Sequence, residues 1–369
     1  MNYKIFASES VCAGHPDKIC DQISDAVVDA ALAVDPYSRV AVETAVKQKV
    51  LIFGEVTCNG FIDYEEIARR VIKDLGYTRP EWGFYDRSPV EVNVSQQSLD
   101  IAGGVDDGGA GDQGMMFGYA CSETKELMPL PITLAHALAK KMDELKIKGL
   151  TYLRPDGKSE VTVRYEKGKP VFVEKVVLAV PHDPSLENEQ VAKDLYRLAV
   201  LPLLEACRMP SIKMSQLVVN GCKGKWEIGG PASDSGLTGR KIIVDSYGGM
   251  ARVGGGAFSG KDVTKVDRSG AYGARFIAKN VVAAGLADRC EVQIVYVIGQ
   301  AEPIARAIET FGTGKKPAKA IEDYAWKLLD LSVKGIIDGL NLRQPIYRQT
   351  ASYGHFGHPE YPWEMISSI

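Results

Sequence analysis

The chain has 369 residues, of which 45% are hydrophobic and 25% are charged, and its formal net charge is −3. One hydrophobic core rarely serves a chain of this length, so two or three domains are expected, and the composition is that of an ordinary soluble globular protein. A weakly acidic balance excludes the broad basic surface of proteins that bind nucleic acid or anionic membranes. Any basic site must therefore be local.

The cysteines and the first residues indicate the cellular compartment. Seven cysteines are scattered along the chain with no C-x-x-C pair, which argues against a disulfide framework and a zinc site and favours a reducing compartment. The opening "MNYKIFASES" has no apolar core of a signal peptide, and no stretch approaches the roughly 20 apolar residues of a membrane span. We therefore expect a cytoplasmic protein without a membrane segment.

The first elements follow from apolar periodicity. A single apolar stripe predicts a helix over about 16–34, and two alternating apolar segments predict a hairpin over 39–57. A second helix is expected to start at the capping-box pair Asp63 and Glu66 and to end at Gly76. This first block therefore mixes strands and helices.

The same mixture recurs twice further along the chain. A hairpin over 159–180 is followed by a helix over 187–207, and strands over 239–249 and 290–299 flank a helix over 267–285. The predicted fold class is α+β (mixed α/β), with three similar subdomains.

Changes in composition suggest where the subdomains meet. We predict an N-terminal subdomain over 1–100, a central subdomain over 115–230 and a C-terminal subdomain over 231–369. The segment 101–114 is a glycine- and aspartate-rich loop, of the kind that is often functional and mobile.

The end of that loop, "GAGDQG" at 109–114, matches the glycine pattern of dinucleotide-binding folds. That fingerprint needs a strand immediately before it, and "GGVDDG" precedes it here, which disfavours a Rossmann interpretation. Two interpretations stay open: a flexible glycine loop, or a loop that places Asp112 against a polar or cationic group of a substrate.

"ESVCAGHPDK" places His15 and Asp17 at the start of the first helix. A helix N-terminus attracts anions, His15 can donate to phosphate oxygens, and Asp17 offers the oxygen ligand that Mg²⁺ prefers. The alternative is that His15 caps the helix and Asp17 complements its dipole. This segment alone does not separate the two.

Glu43 and Glu55 lie on the two arms of the first hairpin. An odd-length turn centred near Gln48 would place both carboxylates on one face, among apolar neighbours. Carboxylates on an apolar face are costly unless they are paired or bind a cation, although a solvated face is the usual explanation.

"GGGAFSGKD" at 254–262 resembles a phosphate-binding P-loop except that Asp262 stands where a Ser or Thr should follow Lys261. A carboxylate at that position would repel phosphate, so a P-loop kinase or ATPase is disfavoured. The surrounding stretch nevertheless concentrates cations among glycines, which favours a polyphosphate site over a solvated basic surface. These cations are Arg240, Lys241, Lys261 and Lys265.

Together with the terminal "YGHFG", the motifs "GHPDK", "GAGDQG" and "GLTGRKIIVDSYGGMARVGGGAFSGKD" resemble the S-adenosylmethionine synthetase (methionine adenosyltransferase) family over nearly the whole chain. The resemblance implies three β-α-β-β-α-β-like subdomains in a pseudo-threefold arrangement. It also implies a homo-oligomer, a dimer of dimers (homotetramer), with active sites between the two subunits of a dimer. The implied reaction converts ATP and L-methionine into S-adenosylmethionine and then cleaves tripolyphosphate to pyrophosphate and phosphate, with two Mg²⁺ per site and K⁺.

The resemblance also assigns roles to residues at the matching positions. Its catalytic residues are His15, which would stabilise the leaving triphosphate, with Asp112, Lys261 and Lys265. Its ATP and phosphate contacts are His15, Asp156, Lys158, Lys225, Trp226, Asp234, Arg240, Lys241, Ala257, Lys261 and Ile298. Its methionine contacts are Glu55, Gln97, Asp112, Asp234 and Lys265. Its metal ligands are Asp17 and Asp267 for Mg²⁺ and Glu43 for K⁺.

The expected chemistry suits this set of residues. The methionine sulfur has no proton to remove, so its attack on C5′ of ATP needs alignment and a neutralised leaving group rather than a general base. Lys225-Trp226 replaces the Arg-Phe pair that the family would place beside adenine, and the segment 97–109 is shorter than expected for the gate of an active site. A nucleotide-binding paralogue without turnover is the alternative function; it predicts loss of His15, Asp112 or the lysines, all of which are present.

Overall fold

The computed structural model describes residues 4–96, 108–221 and 225–367. Helices and strands are interspersed along the chain, with several strands following one another in pairs. The helices are α1 (Pro16–Val34), α2 (Tyr64–Asp74), α3 (Leu130–Ile147), α4 (Asn188–Leu195), α5 (Leu201–Ala206), α6 (Ile242–Asp245), α7 (Val266–Ala283), α8 (Ala318–Ala325) and α9 (Val333–Gly339). The strands are β1 (Ile5–Val11), β2 (Arg39–Val46), β3 (Val50–Thr57), β4 (Val90–Ser95), β5 (Gly114–Cys121), β6 (Lys158–Glu166), β7 (Lys169–Ala179), β8 (Leu217–Val219), β9 (Gly236–Leu237), β10 (Arg289–Tyr296) and β11 (Ala305–Glu309).

The strands form three sheets with the orders β1-β6-β7-β8, β4-β3-β2-β9 and β11-β10-β5. A long helix packs on each sheet: α3 on β1 and β6, α1 on β2, and α7 on β5 and β10. Alternating apolar residues bury one face of each sheet against its helix, which is the usual two-layer arrangement. The mixed α/β fold with three sheet-and-helix units is thereby confirmed.

Each sheet takes a strand from a distant part of the chain. β1 pairs with β6, β5 pairs with β10, and β9 pairs with β2, in every case antiparallel. The predicted boundaries at 100, 115 and 231 therefore run between strands that pair with each other. The division of the chain into three consecutive subdomains remains a prediction. In the structure, strands from one predicted segment pair with strands of another, which connects the three sheet-and-helix units.

Most predicted elements occur where periodicity placed them. α1 begins at Pro16 and ends at Val34, the β2–β3 hairpin has the predicted register, and the Asp63 side chain accepts a hydrogen bond from the N–H of Glu66 at the start of α2. The predicted helix over 187–207 forms as α4 and α5 with a π-helical turn, Tyr196–Val200, between them.

The strand predicted over 239–249 is wrong. This segment holds the short helix α6, in which Val244 and Asp245 are buried while Ile243 is 41% exposed. The β-branched run "IIV" favours a strand locally, but the Asp245 carboxylate binds the buried ammonium of Lys18 and the N–H of Asp245 donates to the Lys241 carbonyl. Tertiary contacts override the local preference.

No helix in the described ranges combines the length and the hydropathy needed to cross a membrane.

Candidate active site

Four aspartates at intervals of four residues make a stripe along α1, in which the first three are buried and the fourth, Asp29, is half-buried. A spacing of four places side chains on one face of a helix, and here each carboxylate accepts hydrogen bonds from backbone N–H groups of the last 133 residues. The pairs are Asp17 with Leu237, Asp21 with Gly239, Asp25 with Gly260, and Asp29 with Tyr347 and Arg348, at 2.8–3.0 Å. The stripe fixes the C-terminal loops on α1, because a buried carboxylate is stable only when it is hydrogen-bonded.

The first cluster of predicted site residues lies at the N-terminus of α1. The His15 Nδ1 accepts from the N–H of Asp17 at 3.2 Å, and the Asp17 carboxylate is 2.5 Å from the Lys241 Nζ and 3.7 Å from the Arg240 Nη1. His15 and Asp17 are 3% and 2% exposed. The structure therefore joins the predicted histidine, magnesium ligand and two cations in one place.

Burial and neighbouring charges set the protonation of this cluster. Burial, followed by the positive charges of Lys241 and Lys158, lowers the pKa of His15 to about 3. Burial by itself would raise the pKa of Asp17, but hydrogen bonds from Lys241 and Leu237 outweigh it and hold that pKa below its usual value. His15 is thus a neutral imidazole at neutral pH. Since its Nδ1 accepts, its Nε2 carries the proton and can donate to an anion.

A buried ion network centred on Lys18, the residue after Asp17, lies next to the first cluster. The Lys18 ammonium binds Asp21 at 2.8 Å and Asp245 at 2.5 Å, and all three groups are at most 3% exposed. Burial raises the pKa of both carboxyls, and the positive charge of Lys18 opposes that rise without cancelling it. Through this network α1 holds both ends of the segment that carries Arg240 and Lys241.

The second cluster is built on the glycine-rich loop 254–262. A Cβ on Gly254 would stand 1.7 Å from the carbonyl oxygen of Met115, and a Cβ on Gly256 would stand 2.2 Å from a carboxylate oxygen of Asp267. The Lys261 Nζ binds that carboxylate at 2.5 Å. The glycines are therefore needed for close approach, and no strand–loop–helix unit of the P-loop type surrounds them.

The close approach of Gly239 to the Ala257 side chain joins the two clusters. A Cβ on Gly239, between the Asp17 contact and Arg240, would stand 2.6 Å from the Cβ of Ala257 in the glycine-rich loop. The predicted ATP contact Ala257 thus lies against the segment that carries Arg240 and Lys241. The charge of Lys158 lowers the pKa of His15 and the charge of Asp234 raises it, so both charges lie near the first cluster.

The two glutamates lie on the open face of the second sheet. In the register of β2 and β3, Ala41 is opposite Glu55 and Glu43 is opposite Phe53, so both carboxylates are on the face that α1 does not cover. Lys261 forms an isolated antiparallel bridge with Ala41 and therefore projects from the same face. The prediction that Glu43 and Glu55 share a face is confirmed.

The loops that carry Asp112 and Ile298 are paired with each other through Ala110. The N–H of Ala110 donates to the Gln300 carbonyl and the N–H of Gly299 donates to the Ala110 carbonyl, which pairs the loop of Asp112 with the loop of Ile298. A Cβ on Gly114 would stand 3.4 Å from Asp267, so the start of β5 also reaches the second cluster. Gln97 lies outside the described residues.

Asp156 holds a loop rather than pointing a free carboxylate at a ligand. Its two oxygens accept from the N–H groups of Gly157 at 2.7 Å and Gly230 at 2.8 Å, and the residue is 4% exposed. Gly230 ends the segment that carries Lys225 and Trp226. The Lys225 Nζ binds Glu187 at 2.7 Å, and the Trp226 indole N–H donates to the Ile228 carbonyl.

A magnesium site made of protein ligands alone does not occur in the described ranges, since no group of three or more His, Cys, Asp or Glu side chains there could hold a metal ion. Asp17 and Asp267 instead offer single carboxylates at separate points, each beside a lysine. Mg²⁺ commonly binds through one or two carboxylates together with substrate phosphates and water. The two aspartates fit that mode of binding.

Sequence reasoning missed the support that four buried aspartates give to the site: Asp21, Asp25, Asp245 and Asp262. The first two continue the Asp17 spacing of four, a signal that the apolar stripe of the same helix concealed. For Asp262, the sequence showed only that it was wrong for a P-loop.

The fold and the two clusters define a mixed α/β protein whose loops collect cations and single carboxylates at the N-termini of α1 and α7, an arrangement suited to a phosphate-rich ligand.

Comparison with known proteins makes the assignment specific. Residues 3–99, 107–223 and 228–365 match the family models for the N-terminal, central and C-terminal domains of S-adenosylmethionine synthetase. The chain is also 49% identical, over 385 aligned positions, to the S-adenosylmethionine synthase of Clostridium tetani (strain Massachusetts / E88), covering 99% of this chain and 98% of that protein. The chain belongs to the S-adenosylmethionine synthetase family, which confirms the resemblance noted in its motifs.

Proposed function

We propose that this protein is a methionine adenosyltransferase, which transfers the adenosyl group of ATP to the sulfur of L-methionine and then hydrolyses the tripolyphosphate to pyrophosphate and phosphate. The observation that carries the proposal is the first cluster, where a buried neutral histidine stands beside Asp17, Arg240 and Lys241 at the start of α1. In a chain of this family, such a cluster suits a leaving group that gains negative charge.

The transfer step needs little proton chemistry. The sulfur attacks C5′ of ATP as the C5′–O bond breaks, and the electron pair of that bond leaves with the tripolyphosphate. His15 donates its Nε2–H to the departing oxygens, while Arg240, Lys241, Lys261 and Lys265 neutralise their charge. Loss of one well-placed donor to developing charge typically costs on the order of 10²–10³ in rate.

The remaining substrate contacts follow the family resemblance. Asp112, Glu55, Gln97 and Asp234 would hold methionine, with Lys265 beside it. Trp226 and Ile298 would flank adenine, with Asp156 shaping that pocket through Gly230 rather than by a free carboxylate.

Two Mg²⁺ ions would be held by Asp17 and Asp267, and K⁺ by Glu43. When bound, Mg²⁺ neutralises phosphate charge during transfer and hydrolysis. The single-carboxylate arrangement supports this, because lysines already stand beside both aspartates where phosphates would bind.

The open face of the second sheet supports assembly into a dimer, and from there a dimer of dimers. It carries half-buried Ala41, Ala45, Leu51 and Phe53 around Glu43 and Glu55, and apolar residues of this kind are usually covered in an assembly. The free thiols among the described cysteines agree with a reducing, cytoplasmic location.

Incubation of the purified protein with ATP, methionine, Mg²⁺ and K⁺ tests the proposal. The expected products are S-adenosylmethionine, pyrophosphate and phosphate in equal amounts. His15→Ala should still bind ATP but lose the transfer step. Cleavage of ATP that is indifferent to methionine would refute the proposal, and nucleotide binding without product would establish the paralogue instead.

A further inference from the structure

Asp262, the residue that spoils the P-loop pattern, accepts four hydrogen bonds inside the protein. Its Oδ1 accepts from the N–H and the hydroxyl of Thr264 at 2.8 and 2.7 Å. Its Oδ2 accepts from the N–H of Val40 at 2.7 Å and from the Nζ of Lys265 at 2.5 Å. The residue is 1% exposed. Both oxygens are therefore fully used by the protein.

These bonds connect three parts of the site. Val40 is near the start of β2, Thr264 lies in the turn before α7, and Lys265 is the residue that precedes the first turn of α7. The backbone N–H of Asp262 also donates to the Val40 carbonyl at 3.0 Å, and the N–H of Val42 donates to the Gly260 carbonyl at 2.9 Å. The segment 260–262 thus runs along the edge of β2, where it is held by backbone bonds and one carboxylate.

The environment keeps Asp262 ionised. Burial favours its neutral form, but the charge of Lys265 and the bonds from Lys265, Thr264 and Val40 outweigh burial and hold the pKa of Asp262 below its usual value. An ionised carboxylate with fixed partners orients a flexible ammonium, since a lysine side chain otherwise samples many rotamers. The side chain of Lys265 is 12% exposed, so its remaining donors can still reach a ligand.

We propose that Asp262 is a positioning residue for Lys265: it fixes the ammonium group toward the substrate and ties the segment of Lys261 to β2. This inference rests on the proposed function, because Lys265 is one of the cations assigned to the reaction. Both oxygens of Asp262 are bound by protein donors, so it acts on a ligand through Lys265.

The test compares Asp262→Asn with Thr264→Val. The asparagine can keep an acceptor for Val40 but loses the charge that holds Lys265, whereas the valine removes a hydroxyl bond to the other oxygen and leaves the lysine pair intact. For Asp262→Asn we expect kcat for S-adenosylmethionine formation to fall about 10- to 100-fold, since a misplacement of about 1 Å can cost 10²-fold. For Thr264→Val we expect a change in kcat below about threefold, because this variant loses one hydroxyl hydrogen bond of about 1 kcal/mol and keeps the lysine pair.

A double-mutant cycle separates positioning from general structural damage. In a Lys265→Met background, adding Asp262→Asn should change kcat by less than about twofold, because the group through which it acts is gone. An equal loss of kcat in both backgrounds, or an equal loss in Thr264→Val, would overturn the proposal. So would wild-type kcat in Asp262→Asn.

Two further measurements keep the test decisive. If Asp262→Asn does not fold, Asp262→Glu keeps the charge but displaces it by one methylene, and the same fall in kcat is expected. If the wild-type protein forms no S-adenosylmethionine, the proposed function fails, and the inference is tested by calorimetric binding of inorganic tripolyphosphate. Asp262→Asn should then weaken that binding at least fivefold, but not in the Lys265→Met background; unchanged or tighter binding would refute it.

Discussion

Gly260→Ala probes the junction between the glycine-rich loop, β2 and α1. Gly260 has φ +81°, and a Cβ at this position would stand 1.9 Å from the carbonyl oxygen of Val42. Its N–H donates to the buried Asp25 carboxylate at 2.8 Å and its carbonyl accepts from the N–H of Val42 at 2.9 Å. The obstacle is backbone, so no side-chain rotation relieves the clash.

The expected cost combines three effects. The left-handed conformation costs an alanine roughly 1–2 kcal/mol. Moving the loop away from β2 loses a backbone hydrogen bond of about 1 kcal/mol and weakens a charge-assisted bond of about 1.5–3 kcal/mol. We therefore expect a loss of about 4 kcal/mol in the free energy of unfolding and, because Lys261 moves with the loop, a fall of about 10²-fold in kcat.

Gly255→Ala is the matched control in the same loop. Gly255 has φ +93°, but a Cβ there would meet nothing within 4 Å, so only the conformational cost of about 1–2 kcal/mol applies. Urea unfolding followed by far-ultraviolet circular dichroism, together with the product assay, measures both variants. If Gly260→Ala is no less stable and no less active than Gly255→Ala, the close approach to β2 does not hold the loop as argued.

Three further perturbations test other parts of the structure. Asp25→Asn should cost about 3–5 kcal/mol in unfolding free energy, because it leaves the buried guanidinium of Arg268 without its charge partner. Lys49→Met, at an exposed ion pair with Glu91, should leave the unfolding free energy unchanged. Similar losses of stability in the two variants would contradict the argument from burial. Burial lowers the pKa of His136 to about 3, so between about pH 6.5 and pH 3 the unfolded chain binds more protons than the folded protein, and the unfolding free energy should fall as the pH drops. His136→Gln should reduce the slope of unfolding free energy against pH in this window by up to about 1.4 kcal/mol per pH unit. An unchanged slope would refute this. Lys241→Met should raise the pKa of His15, yet leave it below its usual value because burial is the larger cause. Lys158→Met should raise that pKa by a smaller amount. NMR titration of the histidine-labelled protein compares the His15 pKa in the two variants.

The sequence predicted α1, the β2–β3 hairpin and α7 because their periodicity is local and strong. It also indicated that Glu43 and Glu55 share a face, since a strand alternates sides with a period of two. It failed at 242–245, where the β-branched residues favour a strand but the buried pair of Asp245 with Lys18 decides for a helix. In this segment, the contacts of the buried ion pair outweigh the local preference of β-branched residues for a strand.

The candidate site shows the same division. The sequence identified the cations Arg240, Lys241, Lys261 and Lys265, since charge and glycine content are visible in it. It could not reveal that Asp21 and Asp25 anchor the loops bearing them, because a carboxylate on a helix looks solvated until its partner, more than 200 residues away, is known.

By itself, the sequence determined the type of fold, the family resemblance and the chemical character of the site, because periodicity, motif spacing and charge are properties of neighbouring residues. Only the tertiary structure decided how the pieces combine: β1, β5 and β9 each join a sheet made mostly from another part of the chain, and α1 gathers the C-terminal loops along its aspartates. It also gave Asp262 its place as the internal partner of Lys265. Contacts between distant segments depend on burial and on the pairing of polar groups, neither of which is encoded at a single position.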